Sequence, residues 1–390
     1  MVKDDHKIYI FYCINKKMKK EIHIWDLQKM KANIAVDIDD SLKNEISCKI
    51  RKDISKIAND LGIQTSRLFE YFIWKKSFIP LKILFKISTR LKIPRKDIEK
   101  SIKIYKQLGV PSKNSIKNPK FPIKINPYFT SIVANIFFDG SMPKDGKGTY
   151  YNQKNKKIMD DFIKRMQYVF GDVSYSLMLD HRNVLKCRIP RLIGEICKYV
   201  YDVDSFGSFD SRVPKIIFSL NKNHKISFIL TGILDEGSIA YDGSIQFGVS
   251  NKIMMGDFKE LCNQLRLETT PIISGTFNRH HLYIKSIENF YEAYKEFIKK
   301  FPLFSLNYKE ERIKKVLQIK KQKFFYTKIF AKKRMNKIMK ELKHNERSIN
   351  YLSSTFLIPP RTIRRYMYRF IKEGKVSRKK ISNEYVYHLN

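Results

Sequence analysis

A chain of 390 residues has room for two to four compact domains, and 43% apolar residues, with 27 Phe and 22 Tyr, exclude global disorder. Lys and Arg number 77 against 38 Asp and Glu, a formal charge of +39, which calls for a polyanionic partner. No apolar run approaches the ~20 residues of a spanning helix, so nucleic acid, and not a membrane, is the expected partner.

The opening residues, Met1 to Lys7, are charged and lead only to a short mixed segment, Ile8 to Ile14, so no signal peptide is expected. Cys13, Cys48, Cys187, Cys197 and Cys262 are scattered and never spaced as C-x-x-C. They read as reduced core thiols of a cytoplasmic protein, without a zinc site or disulfide frame. Residues 1–115 are helical in pattern and are expected to form an all-α domain with a helix-turn-helix over about 46–105. In it Ala58 is small where two helices cross, Gly62 permits the turn, and Ile63 and Leu68 anchor a second helix. That helix, which resembles the Cro/repressor class, would present Gln64, Thr65, Ser66 and Arg67 to DNA. A plain three-helix packing module would show the same apolar pattern. The stretch from Pro111 to Pro127, rich in Pro, Lys and Asn, reads as a linker.

Residues 116–305 contain an internal repeat. The run from Ile132 to Asp139-Gly140-Ser141 overlays the run from Ile229 to Glu236-Gly237-Ser238, and Asn155-Lys156 with Asp161-Phe162 overlays Asn251-Lys252 with Asp257-Phe258. Two patches at nearly one offset imply two halves of about 95 residues, each patterned helix, strand, strand, helix, strand, strand, helix. The fold class is therefore α+β, a duplicated αββαββα core with pseudo-twofold symmetry. In the first half, strands are expected at Gly148–Asn155, Val173–Leu179 and Val184–Ile189, and helices at Thr130–Asp139, Lys157–Phe170 and about Leu192–Val200. In the second, strands are expected at Ser238–Tyr241, Ser244–Ser250, Ile272–Phe277 and His281–Ile284. Its helices are expected at Ile226–Glu236, Ile253–Leu267 and Ile287–Phe301, and His280-His281 reads as a tight turn.

Residues 306–334 are dense in lysine and read as a basic linker or helix, and residues 335–390 read as a winged helix. Its second helix would carry Arg361, Arg364, Arg365 and Arg369, and its wing Arg378, Lys379 and Lys380. Four arginines cannot share one buried face, so they are expected to meet phosphates.

The repeated helices are apolar nearly all round, hence buried. Ala134, Thr231 and Gly232 are small residues where two such helices would need close approach, and Gly140 and Gly237 supply a free residue to end each helix. Asp139 and Glu236 then fall in the last turn, where partial negative charge disfavours an acid. Bringing the two ends together sets carboxylate against carboxylate unless a cation lies between them. Mg²⁺ prefers such oxygen ligands and keeps waters that phosphates can replace, which suits metal-assisted phosphodiester hydrolysis. Asp235 is a weaker candidate because its counterpart in the first half is Phe138.

With these motifs residues 120–310 resemble the LAGLIDADG homing endonucleases, in the DOD-type, intein-like double-motif arrangement. The first motif departs from that pattern at Asn135 and Phe138, and no splicing nucleophile or splicing block surrounds the core. The resemblance implies a site-specific double-strand DNA endonuclease, a monomer on double-stranded DNA, with Asp139 and Glu236 holding Mg²⁺ or Mn²⁺. It also implies Arg188 and Lys285 as basic groups near the metal, and sheets in the major groove whose Gln153, Asn155, Gln246 and Asn251 meet base edges. A transcriptional regulator that reuses this core without cutting is the alternative; retention of both acids favours the enzyme.

Overall fold

The computed structural model describes residues 20–30, 32–75, 77–109, 114–143, 148–206, 211–240, 243–275, 279–323, 328–381 and 384–390, with the backbone alone at 321–323 and 328–332. Cys13 and the segment Ile8 to Ile14 lie outside them.

The N-terminal region is mixed rather than all-α. Strand β1 (Glu21–Ile22) precedes β2 (Ile34–Ile38), α1 (Asp40–Ile50), α2 (Ile54–Leu61), α3 (Thr65–Leu68), β3 (Ile79–Pro80), α4 (Leu81–Arg90), α5 (Arg95–Ser101) and β4 (Ile102–Gln107). Asp39 caps α1 by accepting the Leu42 N–H, and the helix buries Leu42, Ile46 and Ile50 on one stripe. In β2, Ile34, Ala35, Val36 and Ile38 are all buried, so the strand is covered on both faces and shows no alternation. That is why it passes for helix in the sequence. The stretch read as a linker supplies β5 (Ser115–Lys117) and β6 (Ile123–Lys124); β5 pairs with β4, and β6 with β1. Helices α2 and α3 are joined by a tight turn in which Gly62 takes φ 68° and the Ile63 N–H returns to the Ala58 carbonyl.

Both halves of the repeat have the expected order. The first contains α6 (Pro127–Phe138), β7 (Gly140–Ser141), β8 (Thr149–Gln153), α7 (Lys156–Phe170), β9 (Asp172–Val173), β10 (Ser176–Leu179), β11 (Leu185–Ile189) and α8 (Arg191–Tyr201). A short helix, α9 (Lys215–Ser219), leads to the second: α10 (Lys222–Glu236), β12 (Gly237–Ile239), β13 (Ile245–Val249), α11 (Lys252–Gln264), β14 (Ile273–Ser274), β15 (His280–Ile284) and α12 (Ile287–Lys300). The sheets run β10-β11-β8-β7 and β12-β13-β15-β14, antiparallel and of the same topology in each half. The expected strand Val173–Leu179 splits, because Val173 pairs with Ile116 and adds β9 to a five-stranded sheet, β3-β2-β4-β5-β9. The N-terminal region and the first half thus share a sheet and one apolar core. His280 and His281 belong to β15 instead of a turn.

Helices α6 and α10 pack together at the centre. Asn126 caps the first through the Phe129 N–H, with Pro127 in the first turn, where no N–H is needed. Neither Gly140 nor Gly237 takes a left-handed conformation; Gly237 is extended, at φ −89° and ψ 162°. Both are required by space. A Cβ on Gly140 would lie 2.5 Å from Ile136 Cα, and one on Gly237 2.6 Å from the Ile233 carbonyl oxygen. Gly232 admits the Phe138 and Phe258 rings, which would lie about 3.0 and 2.9 Å from a Cβ.

Within 306–334, read as a basic linker or helix, helix α13 spans Tyr308–Lys323, and its Ile313 and Val316 join the main core. A second core lies beyond it, built from α14 (Lys328–His344), α15 (Ile349–Phe356), α16 (Pro360–Lys372) and a sheet of order β16-β18-β17 (Arg347–Ser348, Glu384–Leu389, Val376–Ile381). Leu357 links α15 to α16 at φ 51°. Cys187, Cys197 and Cys262 are free and buried, but Cys48 is exposed, since it falls on the outer face of α1. Among the described residues no helix is long and apolar enough to cross a membrane.

Candidate active site

Asp139 is the residue on which α6 ends, and its N–H donates to the Asn135 carbonyl at 3.2 Å. The chain then turns into β7, and Asn152 of β8 fixes the turn by donating to the Asp139 carbonyl oxygen from its backbone (3.0 Å) and its side chain (2.9 Å). Glu236 is the last residue of α10, which is capped by Gly237 before β12. Because α6 and α10 pack along their length, the two carboxylates come together. Burial pushes Asp139 up to about 6, with Lys309 pulling the other way. Burial and the Asp139 charge push Glu236 up to about 7, against the pull of Arg279 and Lys309.

Asp235, the weaker candidate of the sequence, and two side chains that the sequence did not single out, Arg279 and Lys309, complete the centre. Asp235 turns inward, accepting from Asn135 Nδ2 and from the Tyr151 hydroxyl, both at 2.8 Å. Asn135 also accepts from the fully buried Arg165 at 3.0 Å, so the polar residue that breaks the first motif bridges a buried guanidinium to a buried carboxyl. Arg279 reaches Glu236 at 3.5 Å. Lys309, in the first turn of α13, is 4% exposed, and its ammonium donates to the carbonyls of Ile233 (2.7 Å), Leu234 (2.6 Å) and Gly237 (2.6 Å). It satisfies carbonyls that a helix C-terminus leaves unpaired. Nothing in the sequence separates Lys309 from the other lysines around it; only its burial does.

Of the other expected residues, Arg188 lies in β11 opposite Tyr150, which lies opposite Ser141, two strand spacings, roughly 10 Å, from the end of the first motif. Lys285 is not its equivalent: it lies past the end of β15, exposed and paired with Glu268 at 3.8 Å. Asn155 and Asn251 are engaged at helix starts and not on strand faces. Each caps the following helix, Asn155 through the Lys157 and Ile158 N–H groups and Asn251 through those of Ile253 and Met254. Gln153 has the same strand parity as buried Tyr151, so it lies on the inner face and holds the Lys154 N–H at 2.9 Å. Gln246 lies on the outer face, beside Ser238 and opposite Tyr283. The same parity puts Tyr150, Asn152, Lys186 and Arg188 on the outer face of the first sheet, with the Lys186 ammonium 4.3 Å from the Tyr150 ring centroid.

At the start of α3, Gln64, Ser66 and Arg67 are exposed and Thr65 half-buried, and Arg67 pairs with Glu70 at 2.8 Å. Arg361, Arg364, Arg365 and Arg369 are all exposed on α16, opposite its buried Ile363, Tyr366, Met367 and Phe370. Arg369 is held by Glu373 and Lys379 by Glu346; Arg378 covers Tyr385, and Lys380 is exposed.

The carboxylate pair suits a hard divalent cation. Among the described residues none donates a hydrogen bond to the Asp139 carboxylate, and none forms a cluster of three or more His, Cys, Asp or Glu around a metal position. A bound ion would take two protein carboxylates and complete its shell from water and phosphate oxygens, as Mg²⁺ prefers.

No family model matches the chain, and no curated protein matches it. Solved structures similar to it include I-DmoI in complex with DNA and Mn, at 16% identity and TM-score 0.33 over 44% of this chain and 94% of that one. The N-terminal LAGLIDADG domain of DUF199/WhiA is similar at 12% identity and TM-score 0.32, over 48% of this chain and 86% of that one. Full-length DUF199/WhiA from Thermatoga maritima is similar at 12% identity and TM-score 0.35, over 68% and 93%.

Proposed function

We propose that the chain is a site-specific, metal-dependent double-strand DNA endonuclease of the LAGLIDADG type. One observation supports this above all: the acids ending two packed, repeat-related helices face each other closely enough for the charge of Asp139 to raise Glu236. An acid in the last turn of a helix, beside a second acid, is costly unless something binds there. Asp139 and Glu236 would hold Mg²⁺ or Mn²⁺, which, when bound, supplies charge neutralisation at the phosphate and a water of lowered pKa. Tyr151 and Asn135, through Asp235, fix the end of α10 so that Glu236 has one orientation. Lys186 and Arg188 neutralise phosphate charge on the outer face of the first sheet, and Gln246 and Tyr283 meet the duplex on that of the second. Gln64, Thr65, Ser66 and Arg67, with Arg361, Arg364, Arg365 and the hairpin residues Arg378 and Lys380, add affinity and register on the phosphate backbone. The internal repeat lets a monomer address both strands.

A regulator that binds without cutting is the second reading, and one observation favours it. Lys309 already brings a fixed positive charge to the acids. Incubation of plasmid-borne genomic fragments with Mg²⁺ or Mn²⁺ separates the two. The enzyme linearises one plasmid at a defined place, and Asp139→Asn and Glu236→Gln bind that plasmid without cutting it. Tight binding by the wild type with no metal-dependent cut sinks the endonuclease reading.

A further inference from the structure

Lys309 lies outside the repeat, so whatever it does breaks the symmetry of the site. At the end of α10 its ammonium gives all three N–H groups to Ile233, Leu234 and Gly237, leaving none for the carboxylates. At the end of α6 the corresponding turn is held by the neutral amide of Asn152. The acids therefore face one buried ammonium, anchored at the end of α10, that does not occupy their oxygens; the other cation beside them, Arg279, reaches Glu236 at 3.5 Å from an exposed position. Its side chain is 4% exposed, so solvent screens it little.

We propose that Lys309 is a positioning residue that serves as the second cation of the centre, so that Asp139 and Glu236 together take up one divalent ion and not two. The proposal rests on the endonuclease reading only in taking the acids as metal ligands. With Lys309 in place, a first ion meets two carboxylates whose repulsion it relieves; a second meets an ion and an ammonium with no unshared carboxylate left, since both Asp235 oxygens are taken by Asn135 and Tyr151. Neutralising Lys309 removes a like charge from beside the ion and so strengthens divalent binding, the reverse of what loss of a structural residue would do.

Calorimetric titration of the DNA-free full chain with Mn²⁺, corrected by the Asp139→Asn/Glu236→Gln double variant, tests this directly. The expected result is one Mn²⁺ lost in the double variant, bound on the order of tenfold more tightly in Lys309→Met than in the wild type. Two equivalent ions in the wild type, or unchanged or weaker binding in a folded Lys309→Met, overturn the role of Lys309 and leave the endonuclease reading standing. Absence of any Mn²⁺ that depends on the two acids removes the metal centre itself. If Lys309→Met does not fold, the wild-type stoichiometry still decides.

Discussion

At the scale of the residue, the acids should leave a signature even without DNA. Folded values of about 6 for Asp139 and about 7 for Glu236 lie above their ordinary values of 3.8 and 4.5. A raised folded value favours the protonated form, so this stabilisation is complete below the unfolded values and is lost as pH rises through the folded ones. Asp139→Asn and Glu236→Gln should therefore stabilise the metal-free protein at pH 8, each by on the order of 2 kcal/mol, and leave it nearly unchanged at pH 4. Thermal melts in a chelator check this; variants less stable than wild type at pH 8 would refute the placement of the acids. Mg²⁺ should raise the wild-type melting temperature at pH 8 and not those of the variants. The acids were legible because a carboxylate ending a buried helix is unfavourable unless used. Lys309 was not, and Asp235 only weakly, because a lysine among lysines and an acid beside an acid acquire meaning only from the partners they are folded against.

At the scale of the element, the repeat was legible as a pattern while the parts of it were misassigned. Asn155 and Asn251 recur at the same helix start in both halves, where each caps the helix, and that alone accounts for the repeat. Asn155→Ala should lower stability by about 1 kcal/mol and leave DNA site preference unchanged. Asn251→Ala should cost more, since Asn251 also donates to the Ser211 carbonyl at 2.6 Å from a buried position. Denaturant unfolding with a binding-site selection measures both effects, and an altered sequence preference would restore the base-reading role. Gln153 was misplaced for a geometric reason. Strand faces alternate with period two, and the register of β8 against β11 was not available from one strand read alone. The N-terminal strands were missed because they are short, or buried on both faces, and their partners are distant in sequence.

At the scale of the molecule, the chain divides by its cores and not by its charge texture. The main core runs from Ile22 to Val316, and the second gathers Ile338 through Tyr387. A chain ending at residue 327 should keep the melting transition of the main core and lose affinity for DNA, with a shallower dependence on salt as α16 and its arginines are removed. Deleting residues 1–125 should instead unfold the first half, because β9 would lose β5 and Val173 its cover. Circular dichroism melts and salt-dependent binding of the two truncations check this; a stable fold without residues 1–125 would contradict the shared sheet. The central claim is that the centre between α6 and α10 cuts DNA at a chosen site. Its most direct test is incubation of the full chain with a randomised duplex library and Mg²⁺, followed by sequencing of the cut ends. The account predicts one family of sequences broken on both strands, absent with a chelator and absent with Asp139→Asn or Glu236→Gln. A defined sequence that is retained on the protein but never cut would contradict it.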